Sequence, residues 1–146
     1  MARFQLVIDC KDPEPLAHFW CAALGYVLQP PPEGFDTWDA YYRDLGLPEE
    51  ELGGGADCIV DPDGAGPRIW FQVVPDVKSV KNRLHIDVSV GGSRAVPMAT
   101  RRERVDAEAA RLAGLGATIL GPLESEGLDH YAVAMKDPEG NEFDIN

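Results

Sequence analysis

The sequence predicts an α+β fold in which two βαβββ repeats form a curved mixed sheet. The first observation is a repeated turn, because Asp-Pro-Asp-Gly at 61–64 returns as Asp-Pro-Glu-Gly at 137–140. The second is that each half of the chain reads strand, helix, strand, strand, strand. One copy alone could not bury both its sheet and its helix face, so we expect the two copies to pack together.

Residues 1–78 are the predicted first repeat. Alternating apolar and polar residues over 3–10 predict its first strand. Asp12 and Pro13 then indicate the start of a helix, which Gly25 ends. A short second strand follows this helix. The apolar face of the helix is formed by Leu16, Phe19, Trp20, Ala23 and Leu24, at the spacing of a single helical stripe.

An excursion over residues 33–55 interrupts the first repeat. We expect a short helix in it, capped by Asp36, and an acidic and glycine-rich stretch follows. Excursions of this length are often functional lids or insertions. The two strands that follow flank the turn at 61–64, and they are predicted to form a hairpin.

Residues 79–146 are the predicted second repeat, and its elements follow the same order. The alternation over 83–90 predicts a strand, and Thr100 with Glu103 three residues later is typical of a capping box that begins a helix. Three strands follow, with the turn at 137–140 between the last two. The repeats therefore agree in the order of their elements.

Length and composition predict one domain over residues 1–146, or two small halves that share a core. Thirteen basic residues against twenty-five acidic ones give a net charge of −12, which argues against nucleic acid and anionic membrane as partners. Three cysteines without CxxC spacing indicate reduced thiols. The sequence shows neither a signal peptide nor an apolar run long enough for a membrane span, so we expect a cytoplasmic protein.

Several segments resemble the vicinal oxygen chelate superfamily, which comprises glyoxalase I, bleomycin-resistance proteins and extradiol dioxygenases. More narrowly, the chain is similar to the glyoxalase-like domain proteins of the actinobacterial type. The resemblance implies the fold predicted above, a small-molecule ligand and a homodimer. The segments that carry it are IDCKDPEPLAHFWCAALGY, PPPEGFDTW, VDPDGAGPRIWFQVVP, KNRLHIDV and DPEGNEFDI.

The resemblance also implies a metal site, because metal-using members take their ligands from the first and last strands of each repeat. The matching positions here are Gln5, Gln72, His85 and Asp144. Glyoxalase I typically has Glu at the second and fourth positions, where this chain has Gln and Asp. The cofactor implied is a divalent ion, namely Mn²⁺, Fe²⁺, Co²⁺, Ni²⁺ or Zn²⁺. If no metal binds, we expect no cofactor.

Further polar residues share strand faces with these positions. By period-2 parity Asp9 lies on the face of Gln5, and Asp87 lies on the face of His85. Asp87 is the candidate catalytic base. The alternatives are that it adds a carboxylate ligand to the metal, that it orients the ligands from outside, or that it pairs with Arg83. A mutual hydrogen bond is the alternative for Gln5 and Gln72. The alternative for His85 is a histidine that is only hydrogen-bonded in a polar cavity, and for Asp144 it is a solvated or capping carboxylate. The predicted substrate pocket consists of Asp9, Trp38, Trp70 and Arg83.

Two functions follow, and the sequence leaves the choice between enzyme and binding protein open. The first is a divalent-metal lyase, isomerase or oxygenase that acts on a substrate with vicinal oxygens. The second is a metal-free protein that binds or sequesters a small molecule, as bleomycin-resistance relatives do. Aromatic residues in the excursion favour the second function, because they suit a planar apolar ligand.

Overall fold

The described part of the chain is residues 2–124 and 127–146 of a computed structural model, and it carries eight strands and three α-helices. Hydrogen bonding groups the strands into two four-stranded mixed sheets, one for each repeat. The α+β prediction with two βαβββ repeats is therefore confirmed. Contacts divide the chain into a first unit, Met1–Asp76, and a second unit, Val77–Asn146. Within the described residues, no helix combines the length and the apolar character needed to cross a membrane.

The first unit is built on a sheet with the strand order β1-β4-β3-β2. Strand β1 runs parallel to β4, and the other neighbours are antiparallel. The register of the parallel pair places Leu6 beside Ile69 and Asp9 beside Gln72. The elements of this sheet and its main helix are β1 (Leu6–Cys10), α1 (Pro13–Leu24), β2 (Val27–Leu28), β3 (Cys58–Val60) and β4 (Ile69–Val73).

Helix α1 covers the apolar side of this sheet. It starts at Pro13 after the N-cap Asp12 and ends at Gly25, whose φ of 71° is left-handed. Its stripe packs on β3 and β4, where Ile59 and Phe71 are fully buried. The core of the first unit therefore lies between α1 and the sheet, which leaves the other sheet face available for polar groups.

The excursion contains helix α2 (Trp38–Asp44) and a short 3₁₀ turn (Glu49–Glu51). Thr37 caps α2, since its side-chain oxygen accepts a hydrogen bond of 3.1 Å from the Ala40 N–H. The prediction that Asp36 is the cap was wrong by one residue. Asp36 precedes the N-cap position. The helix is capped by the Thr37 hydroxyl, which lies three residues before the Ala40 N–H that donates to it.

The second unit has the strand order β5-β8-β7-β6, again with one parallel pair, β5 with β8. Helix α3 buries Val105, Ala109 and Leu112, as its periodicity predicts. Its elements are β5 (Asp87–Val88), α3 (Met98–Gly114), β6 (Thr118–Glu124), β7 (Tyr131–Lys136) and β8 (Glu142–Ile145).

Two boundaries of the second unit differ from the sequence predictions. The strand predicted over 83–90 is only Asp87–Val88, because this edge segment has a single neighbouring strand, the short β8. Helix α3 begins at Met98, so Thr100 lies inside the helix and is not its cap. Pro97 takes the N-cap position, and its carbonyl already accepts a hydrogen bond from the Arg101 N–H.

The repeated turn has the same construction in both units. Asp61 accepts hydrogen bonds from the backbone N–H groups of residues 63, 65 and 66. Asp137 accepts them from residues 139 and 141. Each aspartate side chain thus accepts hydrogen bonds from the backbone N–H groups of its own loop. Aspartate is common in such Asx turns for this reason.

Candidate functional site

Three titratable side chains meet at the parallel strand pair of the second unit. The register of β5 and β8 sets Asp87 directly beside Asp144. His85 precedes Asp87 by two residues, so the two side chains leave the same side of an extended chain. We call His85, Asp87 and Asp144 the His–Asp–Asp cluster.

The ligand atoms of this cluster lie close enough to share one ion. The His85 Nε2 atom is 3.3 Å from the Asp87 Oδ1 atom and 3.6 Å from the Asp144 Oδ2 atom. All three ligand atoms lie within 4.8 Å of one another. Their side chains are 42%, 52% and 23% exposed in the same order, so an ion and a small molecule can reach them from solvent.

A chain of two hydrogen bonds through Asn146 and Ser89 orients Asp87. The Asn146 side-chain amide donates to the Asp87 Oδ2 atom at 3.2 Å, which leaves Oδ1 facing His85. Ser89 donates in turn to the Asn146 side-chain oxygen at 2.7 Å. Such outer partners fix the orientation of metal ligands. Sequence reasoning missed both residues, although Ser89 shares the strand parity of Asp87.

The donor set suits a hard divalent ion. One imidazole nitrogen and two carboxylate oxygens bring two negative charges, which neutralise the charge of such an ion. Oxygen and nitrogen donors of this kind bind Mn, Fe, Co, Ni and Zn. Three protein ligands also leave coordination positions open for water or substrate. The set differs from the one predicted by resemblance, in which amide oxygens supplied two of the four ligands.

The remaining predicted ligands, Gln5 and Gln72, belong to the first unit. The Gln5 side-chain oxygen accepts a hydrogen bond of 2.7 Å from Arg68. Among the described residues there is no hydrogen bond between Gln5 and Gln72. The alternative that the two glutamines bond to each other was therefore wrong. Gln72 lies beside Asp9 in the sheet register.

The proposed ion pair between Arg83 and Asp87 is also absent from the described part of the chain. Asp87 instead faces His85 and receives the Asn146 amide. The chain bends at Arg83, so the period-2 parity on which the predicted pairing depended does not hold between Arg83 and Asp87.

A cavity of about 390 Å³ lies in the first unit. Its apolar walls are the half-buried rings of Trp38, Tyr42 and Trp70, which come from α2 and β4. We call it the aromatic cavity. Trp38 and Trp70 were predicted pocket residues, whereas Asp9 and Arg83, which were also predicted, are not part of the lining. Its polar lining consists of Gln5, Asp57, Cys58 and Arg68.

Arg68 lies on the polar side of the aromatic cavity and links its neighbours by hydrogen bonds. Its guanidinium donates to Gln29 Oε1 at 2.6 Å, to Gln5 Oε1 at 2.7 Å and to the Cys58 sulfur at 2.7 Å. Burial, with the nearby Asp57 charge, raises the pKa of Cys58 to about 11, although Arg68 opposes the shift. The Cys58 thiol is therefore protonated at neutral pH, which excludes it as a thiolate nucleophile.

Comparison with known proteins identifies the family. Residues 5–146 match the family model described as a glyoxalase-like domain. The chain therefore belongs to the glyoxalase-like domain family, and the resemblance drawn from the sequence is confirmed. No curated protein matches the sequence.

Solved structures show the same fold at low identity. A glyoxalase/bleomycin resistance protein/dioxygenase family enzyme from Burkholderia phytofirmans is 18% identical, with a TM-score of 0.56 over 97% of this chain and 94% of that one. The fosfomycin resistance protein FosX from Listeria monocytogenes is 11% identical, with a TM-score of 0.61 over 99% and 91%. A FosX variant from the same organism, 11% identical with a TM-score of 0.60 over 99% and 90%, was solved with Mn(II) and 1S,2S-dihydroxypropylphosphonic acid.

Proposed function

We propose that this member of the glyoxalase-like domain family binds a divalent metal through the His–Asp–Asp cluster and acts as a metal-dependent enzyme on a small molecule. The observation that carries the proposal is the approach of one imidazole and two carboxylates to within 4.8 Å of one another. The substrate class, a molecule with neighbouring oxygen atoms, follows from the family resemblance. Mn(II) is the first ion to test, since the FosX variant was solved with it.

Each residue of the cluster has a separate task in this proposal. His85 offers its Nε2 atom as a nitrogen ligand, and Asp87 and Asp144 supply the negative charge. The Asn146 amide holds Asp87 in place. When bound, the ion would act as a Lewis acid that polarises the substrate oxygens. Asp87 therefore moves from the predicted role of catalytic base to that of a ligand, because its Oδ1 atom lies beside His85.

Metal titration of chelator-treated protein tests the proposal. We expect Mn²⁺, Fe²⁺, Co²⁺, Ni²⁺ or Zn²⁺ to bind at one ion per chain in calorimetry. His85→Ala and Asp144→Ala should each weaken binding by about tenfold or more, since each removes a direct ligand. His18→Ala is the matched control, because His18 is an exposed histidine on α1. A parent that binds none of these ions, or variants that bind as tightly as the parent, would contradict the proposal.

Metal-free binding of a small molecule is the second candidate function. The aromatic cavity favours it, because its lining includes none of the three residues of the cluster. A parent without metal affinity would leave this function as the better one. The homodimer and the cytoplasmic location remain expectations from the sequence. Sedimentation of the purified chain measures the first, and fractionation of the source cell measures the second.

A further inference from the structure

We propose that the aromatic cavity binds a neutral planar aromatic molecule whose polar edge carries both a hydrogen-bond donor and an acceptor. Every residue that lines the cavity belongs to the first unit, and none is a member of the His–Asp–Asp cluster. The inference rests on the second candidate function, metal-free binding in this cavity, and it uses residues other than those of the proposed metal site. A volume of about 390 Å³ lies within the range of small-molecule sites.

The walls of the cavity suit a flat apolar body. The Trp38 and Tyr42 rings are 5.6 Å apart between centroids and are tilted by 32°. Trp70, on β4, supplies a third ring. Half-buried aromatic rings offer large, stiff contact surfaces at a low cost in side-chain entropy.

Hydrogen bonds and close packing within the first unit hold two of these rings in place before any ligand binds. The Trp38 indole N–H donates to the Gln29 carbonyl at 3.0 Å, and the Trp70 indole N–H donates to Asp57 Oδ2 at 3.1 Å. Gly55 packs against Trp38 so closely that a Cβ atom there would lie 2.4 Å from the ring. A wall held in this way loses little freedom on binding, which favours affinity.

The polar side offers both kinds of hydrogen-bonding partner. Arg68 has five N–H donors, and three of its nitrogens each spend one on Gln29, Gln5 and Cys58. A donor therefore remains on each terminal nitrogen. The Asp57 carboxylate accepts from Trp70 and retains further acceptor capacity. Because the Arg68 and Asp57 charges are opposite, a neutral molecule with both an acceptor and a donor suits the cavity better than an ion.

Binding of 2-naphthamide to chelator-treated protein tests this inference. Its carbonyl can accept from Arg68, and its amide N–H can donate to Asp57. Naphthalene, 2-naphthoate and 2-naphthylmethylammonium have the same rings but lack one or both features, so we expect each to bind about fivefold more weakly or worse in calorimetry. Undetectable binding of 2-naphthamide at millimolar concentration would overturn the inference, and so would equal or tighter binding of any comparator.

The indole N–H signals of the three tryptophans locate the probe in nitrogen-15 spectra. Signals of Trp38 and Trp70 should shift on binding, whereas that of Trp20, buried at 2% exposure in the core, should not. Trp38→Ala should weaken binding about tenfold. Phe35→Ala is the matched control. It also removes an aromatic ring from the excursion, but the Phe35 ring packs on Tyr41 and does not line the cavity.

Two results would place the probe elsewhere and overturn the inference. One is a Trp38→Ala variant that binds as tightly as the parent, and the other is a shift of the Trp20 signal alone. His85→Ala should leave 2-naphthamide affinity unchanged. The proposals for the cavity and for the metal site are thus tested separately, since each experiment leaves the residues of the other site intact.

Discussion

Replacing Gly55 with alanine tests how the wall of the aromatic cavity is held. Gly55 has a φ of +102°, and an added Cβ would lie 2.4 Å from two ring atoms of Trp38 and 2.7 Å from its Cβ. The left-handed backbone alone costs about 1–2 kcal/mol for alanine. Ordinary carbon contacts are about 3.5–4.0 Å, so the ring must move by about 1 Å or more. Such overpacking adds about 1–3 kcal/mol.

We therefore expect Gly55→Ala to lower the free energy of unfolding by about 2–5 kcal/mol in urea denaturation. Gly53→Ala is the matched control, because its φ is +93° and nothing lies within 4 Å of its added Cβ. This variant should lose only the backbone part, about 1–2 kcal/mol. The Trp38 indole signal should shift in the first variant alone. Equal losses in the two variants, with an unshifted Trp38 signal, would refute this account of the wall.

Three further predictions concern stability. Thr37→Ala should cost about 1 kcal/mol through loss of the α2 cap, whereas Asp36→Ala should stay within about 0.5 kcal/mol of the parent; a larger loss for Asp36→Ala would restore it as the cap. Phe71→Ala, at a fully buried position, should cost about 3–5 kcal/mol in the same assay, and a loss below about 1 kcal/mol would contradict its place in the core. The raised pKa of Cys58, about 11 against 9.0, means that the unfolded thiol ionises first. The protonated Cys58 thiol therefore contributes to the free energy of unfolding fully below pH 9, and this contribution, on the order of 2 kcal/mol, is lost as the pH rises towards 11. A Cys58→Ala variant that loses as much stability at alkaline pH as the parent would contradict this.

Local patterns predicted the elements of the fold well. The Asp12-Pro13 start and the Gly25 end of α1 depend on neighbouring residues only, and both are present in the structure. Thr100 shows the limit of such signals. A capping box needs an extended residue at its first position, and the chain had already entered the helix after Pro97.

The candidate sites depend on information that local patterns lack. Asp87 and Asp144 are adjacent only because of the register of two strands far apart in sequence. Period-2 parity correctly put Asp87 near His85, but it could not show that Asn146 holds its second oxygen. Arg68 was missed because a single arginine beside a strand carries no motif. Its importance comes from three acceptors that the fold brings to it.

The Asp61 and Asp137 turns, whose hydrogen bonds lie within their own loops, influence the order in which the chain folds. Each closes a hairpin of residues near in sequence, and such contacts form early because their loops are short. The parallel pairs join distant segments, such as Leu6 with Ile69 and Asp87 with Asp144. We expect the hairpins to be formed in the transition state and the parallel pairs to close late, which Φ-values at positions of β3 and β1 measure. The His–Asp–Asp cluster would then be among the last features to assemble, so that an ion could stabilise the finished chain without guiding its early collapse.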